Sequence, residues 1–130
     1  MVVDFEKPIP LPSESVDLIY SQYMVEHLGW RKVGDFLKEC HRILREGGKV
    51  LFFVPNLKEQ ARVIVSKEKM TMEDVERVFG SQEFEGSAGV HKSSMDPGLM
   101  EQLLRQAGFS RVEISPHLLS STDMVAEAWR

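Results

Sequence analysis

The residues of this chain that are best suited to chemistry are few. Glu26 and His27 are adjacent, Ser21-Gln22 closes a short apolar run, His91 lies in a polar stretch far downstream, and Asp4 stands near the amino end. A histidine beside a carboxylate can serve as a general base near neutral pH, provided a substrate oxygen or nitrogen comes within hydrogen-bond reach. The same pair has a structural alternative, in which Glu26 anchors a turn and His27 packs under a helix. His41, on the edge of an amphipathic stretch, reads as structural, and His117 has no evident partner. The four histidines are not at metal-ligand spacing and no cysteine joins them, so no metal site is expected. A Ser–His–Asp order and a nucleophile elbow are also missing.

The elements that must position these residues follow from the apolar pattern. Val16–Ser21 is a short strand-favouring run, and the three prolines of Lys7-Pro8-Ile9-Pro10-Leu11-Pro12 before it enforce an extended connector. Val2–Phe5 reads as a further short strand. From Trp30 the period changes: Trp30, Val33, Leu37, Cys40 and Leu44, widened by Phe36 and Ile43, form the apolar stripe of a helix. That helix is expected to close at Arg45-Glu46-Gly47-Gly48, where glycine tolerates the left-handed conformation. A continuous apolar strand, Lys49–Val54, follows at once. Strand, helix and apolar strand make a βαβ unit, which implies two parallel strands covered on both faces.

Downstream, Leu57–Lys69 reads as helix, and Thr71-Met72-Glu73-Asp74 is a capping box that opens a helix running to Gly80. Ser81–Ser94 is a polar loop. Asp96-Pro97 pairs an N-cap with proline at the first helical position and starts a helix that ends near Gly108. Phe109–Ser115 and Met124–Trp129 read as the last two strands.

The whole chain sets the outer bounds. Its 130 residues suffice for one domain, residues 1–130, with one core. A net charge of −4, with Lys and Arg scattered among acids, argues against nucleic acid as a partner. The apolar runs are too short for a membrane helix, so no membrane partner is expected. The single cysteine, Cys40, excludes an intrachain disulfide, which fits a reducing cytoplasm.

Three segments together resemble the large Rossmann-like class of S-adenosylmethionine (SAM) dependent methyltransferases, type 11 in particular. Asp4 through Ser21, with its Pro-rich connector and Val16-Asp17-Leu18-Ile19-Tyr20-Ser21, is similar to the family's third and fourth strands. Val25-Glu26-His27-Leu28 and Phe36–Gly48 resemble its "EHL" turn and the helix before its fifth strand, and His91-Lys92, Leu103-Leu104 and Ala107-Gly108-Phe109 resemble its late helix and sixth strand. The resemblance implies an α/β fold: a partial Rossmann-like methyltransferase fold, with a mostly parallel sheet ordered 3-2-1-4-5-7-6, an antiparallel last strand and helices packed on the sheet. SAM would lie across the carboxyl ends of the strands, in keeping with ligand binding at a topological switch point.

The resemblance also assigns residues. Asp4 maps onto the acidic group near the adenine amino nitrogen, Ser21 and Gln22 onto positions along the methionine part of SAM, and His91 onto the loop covering a small-molecule acceptor; Glu26 and His27 remain the candidate catalytic pair. The family's first strand, its Gly-x-Gly loop and the acid ending its second strand would all fall before Met1, so weak or absent SAM binding is expected of this chain alone. The expected function is methyl transfer, and the alternative is a truncated, non-catalytic half-domain acting as an interaction module. Strand Val16–Ser21 would lose a neighbour, and the Leu18, Tyr20, Leu51 and Phe53 side of the sheet, or its opposite, would lose its helices. A homodimer, or a separate chain completing the fold, is therefore expected.

Overall fold

The computed structural model describes residues 4–83 and 89–130. Four strands, β1 (Val16–Gln22), β2 (Leu44–Pro55), β3 (Arg111–Pro116) and β4 (Asp123–Trp129), form one sheet in the order β1-β2-β4-β3. β1 and β2 are parallel, and β4 runs antiparallel to both β2 and β3. This order, with its antiparallel last strand, is that expected for strands four to seven of a Rossmann-like methyltransferase. A 3-10 turn, Val25–His27, follows β1, and four helices complete the described residues: α1 (Val33–Ile43), α2 (Leu57–Val65), α3 (Met72–Phe79) and α4 (Pro97–Gln106).

The alternation of β2 and β4 decides where the core lies. Val50, Phe52, Val54, Met124, Ala126 and Ala128 point to one face and are buried against Phe36, Leu37 and Cys40 of α1 and Met100 and Leu104 of α4. The opposite face is open. Leu18 and Tyr20 are 53% and 56% exposed there, beside Leu51 and Phe53, so the expectation of cover on both faces fails and the Leu18–Phe53 side is the uncovered one. β1 is also an edge strand, paired only with β2 among the described residues.

Helix boundaries follow local chemistry. Thr71 and Asp74 make the expected capping box, with the Asp74 carboxylate accepting from Thr71 N and the Thr71 hydroxyl accepting from Asp74 N. Asp96 Oδ1 accepts from Leu99 N at 2.8 Å, with Pro97 at the first helical position as expected. Several expectations need correction. Trp30 precedes α1 and is 68% exposed, its ring covered by the Arg31 guanidinium, so it is no part of the buried stripe. α1 closes at Ile43, because Leu44 is already extended, and Gly47 (φ 76°) and Gly48 form an irregularity inside β2. A side chain at Gly48 would meet the Arg45 and Asp17 carbonyls at 2.9 and 3.0 Å, and Arg45 holds both Asp17 carboxylate oxygens to pin this bulge to β1. Finally, α2 ends at Val65, four residues before Lys69. Of the strand expected at Val2–Phe5, Val2 and Val3 lie outside the described residues, whereas Asp4 and Phe5 are not in a strand; Phe5 stacks edge-on against Phe36 at 5.7 Å.

Candidate active site

β1 ends at Gln22 and the chain turns sharply to enter Val25–His27. Tyr23 adopts a left-handed φ of 53°, held by its N–H to Phe53 O (2.9 Å) and by its hydroxyl donating to Asp123 Oδ2 (2.9 Å). Burial, reinforced by Asp123, pushes the Tyr23 phenol up to about 12, so it stays a donor at ordinary pH. The turn swings Glu26 inward. Its residue is 2% exposed, and neither carboxylate oxygen has a hydrogen-bond partner among the described residues. Desolvation, together with the Asp123 charge, raises the Glu26 carboxyl to about 7.

The segment after α3 brings the second histidine to this turn. Gly80 (φ 85°) ends the helix where any side chain would strike the Gly89 carbonyl, and His91 N donates to Phe79 O. Lys92 N and Ser93 N then both donate to the main-chain oxygen of Glu26, at 2.8 and 3.1 Å, locking residues 91–93 against the turn. As a result the His27 and His91 rings meet edge to face with centroids 5.1 Å apart. Each Nδ1 lies on a main-chain carbonyl, His27 on Val90 O (3.0 Å) and His91 on Val78 O (3.2 Å). Burial, and then the neighbouring His27, lowers the His91 pKa and keeps it neutral. Both rings line a cavity of about 490 Å³ walled by Glu73, Glu76 and Arg77 of α3.

Three of the six candidate residues, Glu26, His27 and His91, thus converge. Ser21, on the last part of β1, has a buried hydroxyl without a partner among the described residues. Gln22 is exposed beside it and accepts from the Tyr20 hydroxyl at 3.3 Å. Asp4 stands apart in a surface turn, its carboxylate accepting from Glu6 N and paired with Lys7, which lowers its pKa in that order of effect. Of the remaining histidines, His41 packs edge-on against Phe109 as a structural residue, and His117 finds a neighbour in Phe53. Tyr23 and Asp123, which shape the turn, escape sequence reasoning: no glycine or asparagine marks the left-handed position, and the two residues meet only through the sheet.

A fold with this strand order, and a polar site outside the carboxyl ends of its parallel strands, is a Rossmann-like methyltransferase fold in part. Comparison with known proteins specifies the class. Residues 1–52 match the family described as Methyltransferase domain. Over 48 residues the chain is 44% identical to a Mycolicibacterium smegmatis protein described as a probable S-adenosylmethionine-dependent methyltransferase, covering 37% of this chain and 18% of that one. Among solved structures, a SAM-dependent methyltransferase from Mesorhizobium loti superposes with a TM-score of 0.68 at 20% identity, over 98% of this chain and 67% of that one. A SAM-dependent methyltransferase from Archaeoglobus fulgidus gives 0.63 at 15% identity, over 92% and 62% of the two chains. A chain from the complex of the Haloferax volcanii Trm112 methyltransferase activator with a methyltransferase gives 0.66 at 16% identity, over 99% and 60%. The chain spans less than a fifth of the curated relative and about two thirds or less of these structures. It is similar to class I SAM-dependent methyltransferases in sequence over its first 52 residues and in fold along nearly its whole length.

Proposed function

We propose that this chain is the acceptor side of a SAM-dependent methyltransferase, with Glu26 as the base that takes the acceptor's proton, His27 beside it, and His91 contacting a small-molecule acceptor. The observation that carries the reading is Glu26: a buried carboxylate with no partner and a pKa of about 7, at the strand end where this fold binds ligands. A cavity of about 490 Å³ lined by the neighbouring His27 and by His91 is of small-ligand size. Bound SAM would supply an electrophilic methyl group, and the protein's part is to align the acceptor and receive its proton.

The residues fit that cofactor in part. Ser21 offers an orphaned buried hydroxyl, as a group awaiting a ligand would, and the exposed Gln22 stands at the same strand end with its amide N–H groups available. Asp4 would have to leave its own turn to reach adenine. The described residues therefore contribute one rim of the cofactor site, and the rest lies outside them. The open sheet face supports a partner: Leu18 and Tyr20 continue into a groove of about 900 Å³ lined by Leu51, Phe53, Leu118 and Leu119. A structural neighbour comes from a complex with a methyltransferase activator chain, which is compatible with a partner here. The same face favours the second reading, a non-catalytic interaction module. A cytoplasmic setting belongs to the proposal; it suits the lone Cys40, which is buried with its thiol pKa raised by desolvation.

Two measurements test the function. In the methyl-transferring assembly, Glu26→Gln should lower kcat by about 100-fold or more with SAM affinity unchanged, and full activity would overturn the role of Glu26. Calorimetric titration of the chain alone should show weak SAM binding or none; a dissociation constant of a few micromolar, about 7 to 8 kcal/mol, would overturn the one-rim reading.

A further inference from the structure

Glu26, His27 and His91 each offer one ligand atom, and these atoms lie within 4.8 Å of one another. From this geometry we infer that the three side chains form a binding site for a divalent transition-metal ion.

The argument rests on which atoms remain free. The Nδ1 of His27 faces Val90 O and the Nδ1 of His91 faces Val78 O, both within hydrogen-bond distance. A carbonyl can only accept, so each Nδ1 carries the hydrogen and each neutral ring keeps its lone pair on Nε2. Metal-bound histidines are typically fixed in this way, with the second nitrogen donating to a main-chain carbonyl so that tautomer and ring orientation are set in advance. The third member is Glu26. Burying a carboxylate with both oxygens unpartnered is costly, and a cation between the three side chains would satisfy it. Metal–ligand bonds of about 2.1 Å put neighbouring ligand atoms about 3 to 4 Å apart, so the three side chains must draw together and turn their free atoms toward the ion to bind it.

The donor set identifies the ion. Two imidazoles and one carboxylate suit Zn²⁺, Mn²⁺, Fe²⁺ or Co²⁺, whereas Mg²⁺ and Ca²⁺ prefer oxygen ligands. Three protein ligands leave coordination positions open, and His27 and His91 line the 490 Å³ cavity, which gives the ion both an entry and a place for an exogenous ligand. Spacing along the chain offers no sign of such a site; His91 arrives only because Lys92 and Ser93 bond to the Glu26 carbonyl.

This inference rests on the side chains of the proposed active site and concerns the state in which Glu26 is a ligand instead of a free base; its test needs neither SAM nor turnover, so the two can fail separately. Chelator-stripped chain is titrated with Zn²⁺ by calorimetry and with Co²⁺ by visible absorption. The expected result is one equivalent of Co²⁺ with the spectrum of a nitrogen–oxygen site, displaced by Zn²⁺ and not by millimolar Mg²⁺. The isosteric Glu26→Gln and, separately, His91→Ala should each weaken Zn²⁺ binding by about tenfold or more, whereas His117→Ala should leave it unchanged. Circular dichroism melts identify variants that remain folded. No stoichiometric binding by the unaltered chain, or equal affinity in a folded His91→Ala or Glu26→Gln variant, would overturn the site.

Discussion

Replacing Glu26 by glutamine should change how the stability of this protein depends on pH. The carboxyl titrates near 4.5 in an unfolded chain and near 7 in the fold, chiefly because burial disfavours its charged form. Between those values the folded state holds more protons than the unfolded state, so stability falls as pH rises. The penalty is absent below about pH 4.5 and complete above about pH 7; a shift of this size is worth about 3 kcal/mol. A glutamine in its place would carry no charge, and whatever its buried amide costs is the same at every pH. Glu26→Gln should therefore gain about 3 kcal/mol on the unsubstituted protein between about pH 4.5 and about pH 8, even if it is the less stable of the two in acid. His91, whose pKa is lowered, contributes a pH dependence of the opposite sign, and the same comparison in a His91→Ala background removes it. Urea unfolding of both proteins at the two pH values, with chelator present, gives the difference directly. A stability gap that does not move with pH would show that the Glu26 carboxyl is solvated, and would remove the ground for treating it as a base.

Further outcomes follow from the caps and the open edge. Asp96→Ala should cost about 1 kcal/mol, since it frees Leu99 N and removes the partner of Lys58; an unchanged urea midpoint would show that α4 is capped otherwise. The Asp74 carboxyl is held near 2, first by Lys67 and then by the Thr71 amide, so its contribution is complete above about pH 4 and is lost as pH falls through 2. Thermal melts of Asp74→Asn should therefore differ from the unsubstituted protein at about pH 7 and converge with it towards about pH 2. Light scattering at micromolar concentration should find a mass above the 14.9 kDa of one chain, and a well-behaved monomer would show that one chain covers its own edge and face.

What was legible in the sequence was whatever depends on near neighbours. Thr71 with Asp74 and Asp96 with Pro97 are contacts spanning three residues or fewer, and both caps form where their residue types place them. The β1–α1–β2 succession was equally legible, because periods of two and of three to four residues differ plainly. Gly47-Gly48 misled because a positive-φ glycine closes a helix and kinks a strand equally well, and the choice falls to the register shift between Val16, opposite Leu44, and Leu18, opposite Lys49. Trp30 misled because apolar spacing says nothing of what lies opposite, and here no core residue does. The candidate site was half legible: Glu26-His27 is visible as a pair, but its union with His91 depends on main-chain bonds from Lys92 and Ser93 that no local pattern encodes.

The position of β1 joins the site to the open edge. Ser21 and Gln22 end the strand that lies at the border of the sheet, and the unpartnered Ser21 hydroxyl is at the carboxyl end of that strand. A strand added in parallel beside β1 would bring its own carboxyl end, and the turn that follows, next to Ser21 and the Glu26 turn. In open α/β sheets that junction, where neighbouring connections lead to opposite faces, is where ligands bind. A partner that pairs with β1 would thus do more than cover apolar surface. It would place main-chain N–H groups beside a rim that by itself offers one hydroxyl and one amide side chain. On the proposed reading, cofactor affinity and assembly are linked: each should strengthen the other by the same free energy, and a Leu18 substitution that prevents assembly should also weaken SAM binding without touching the site.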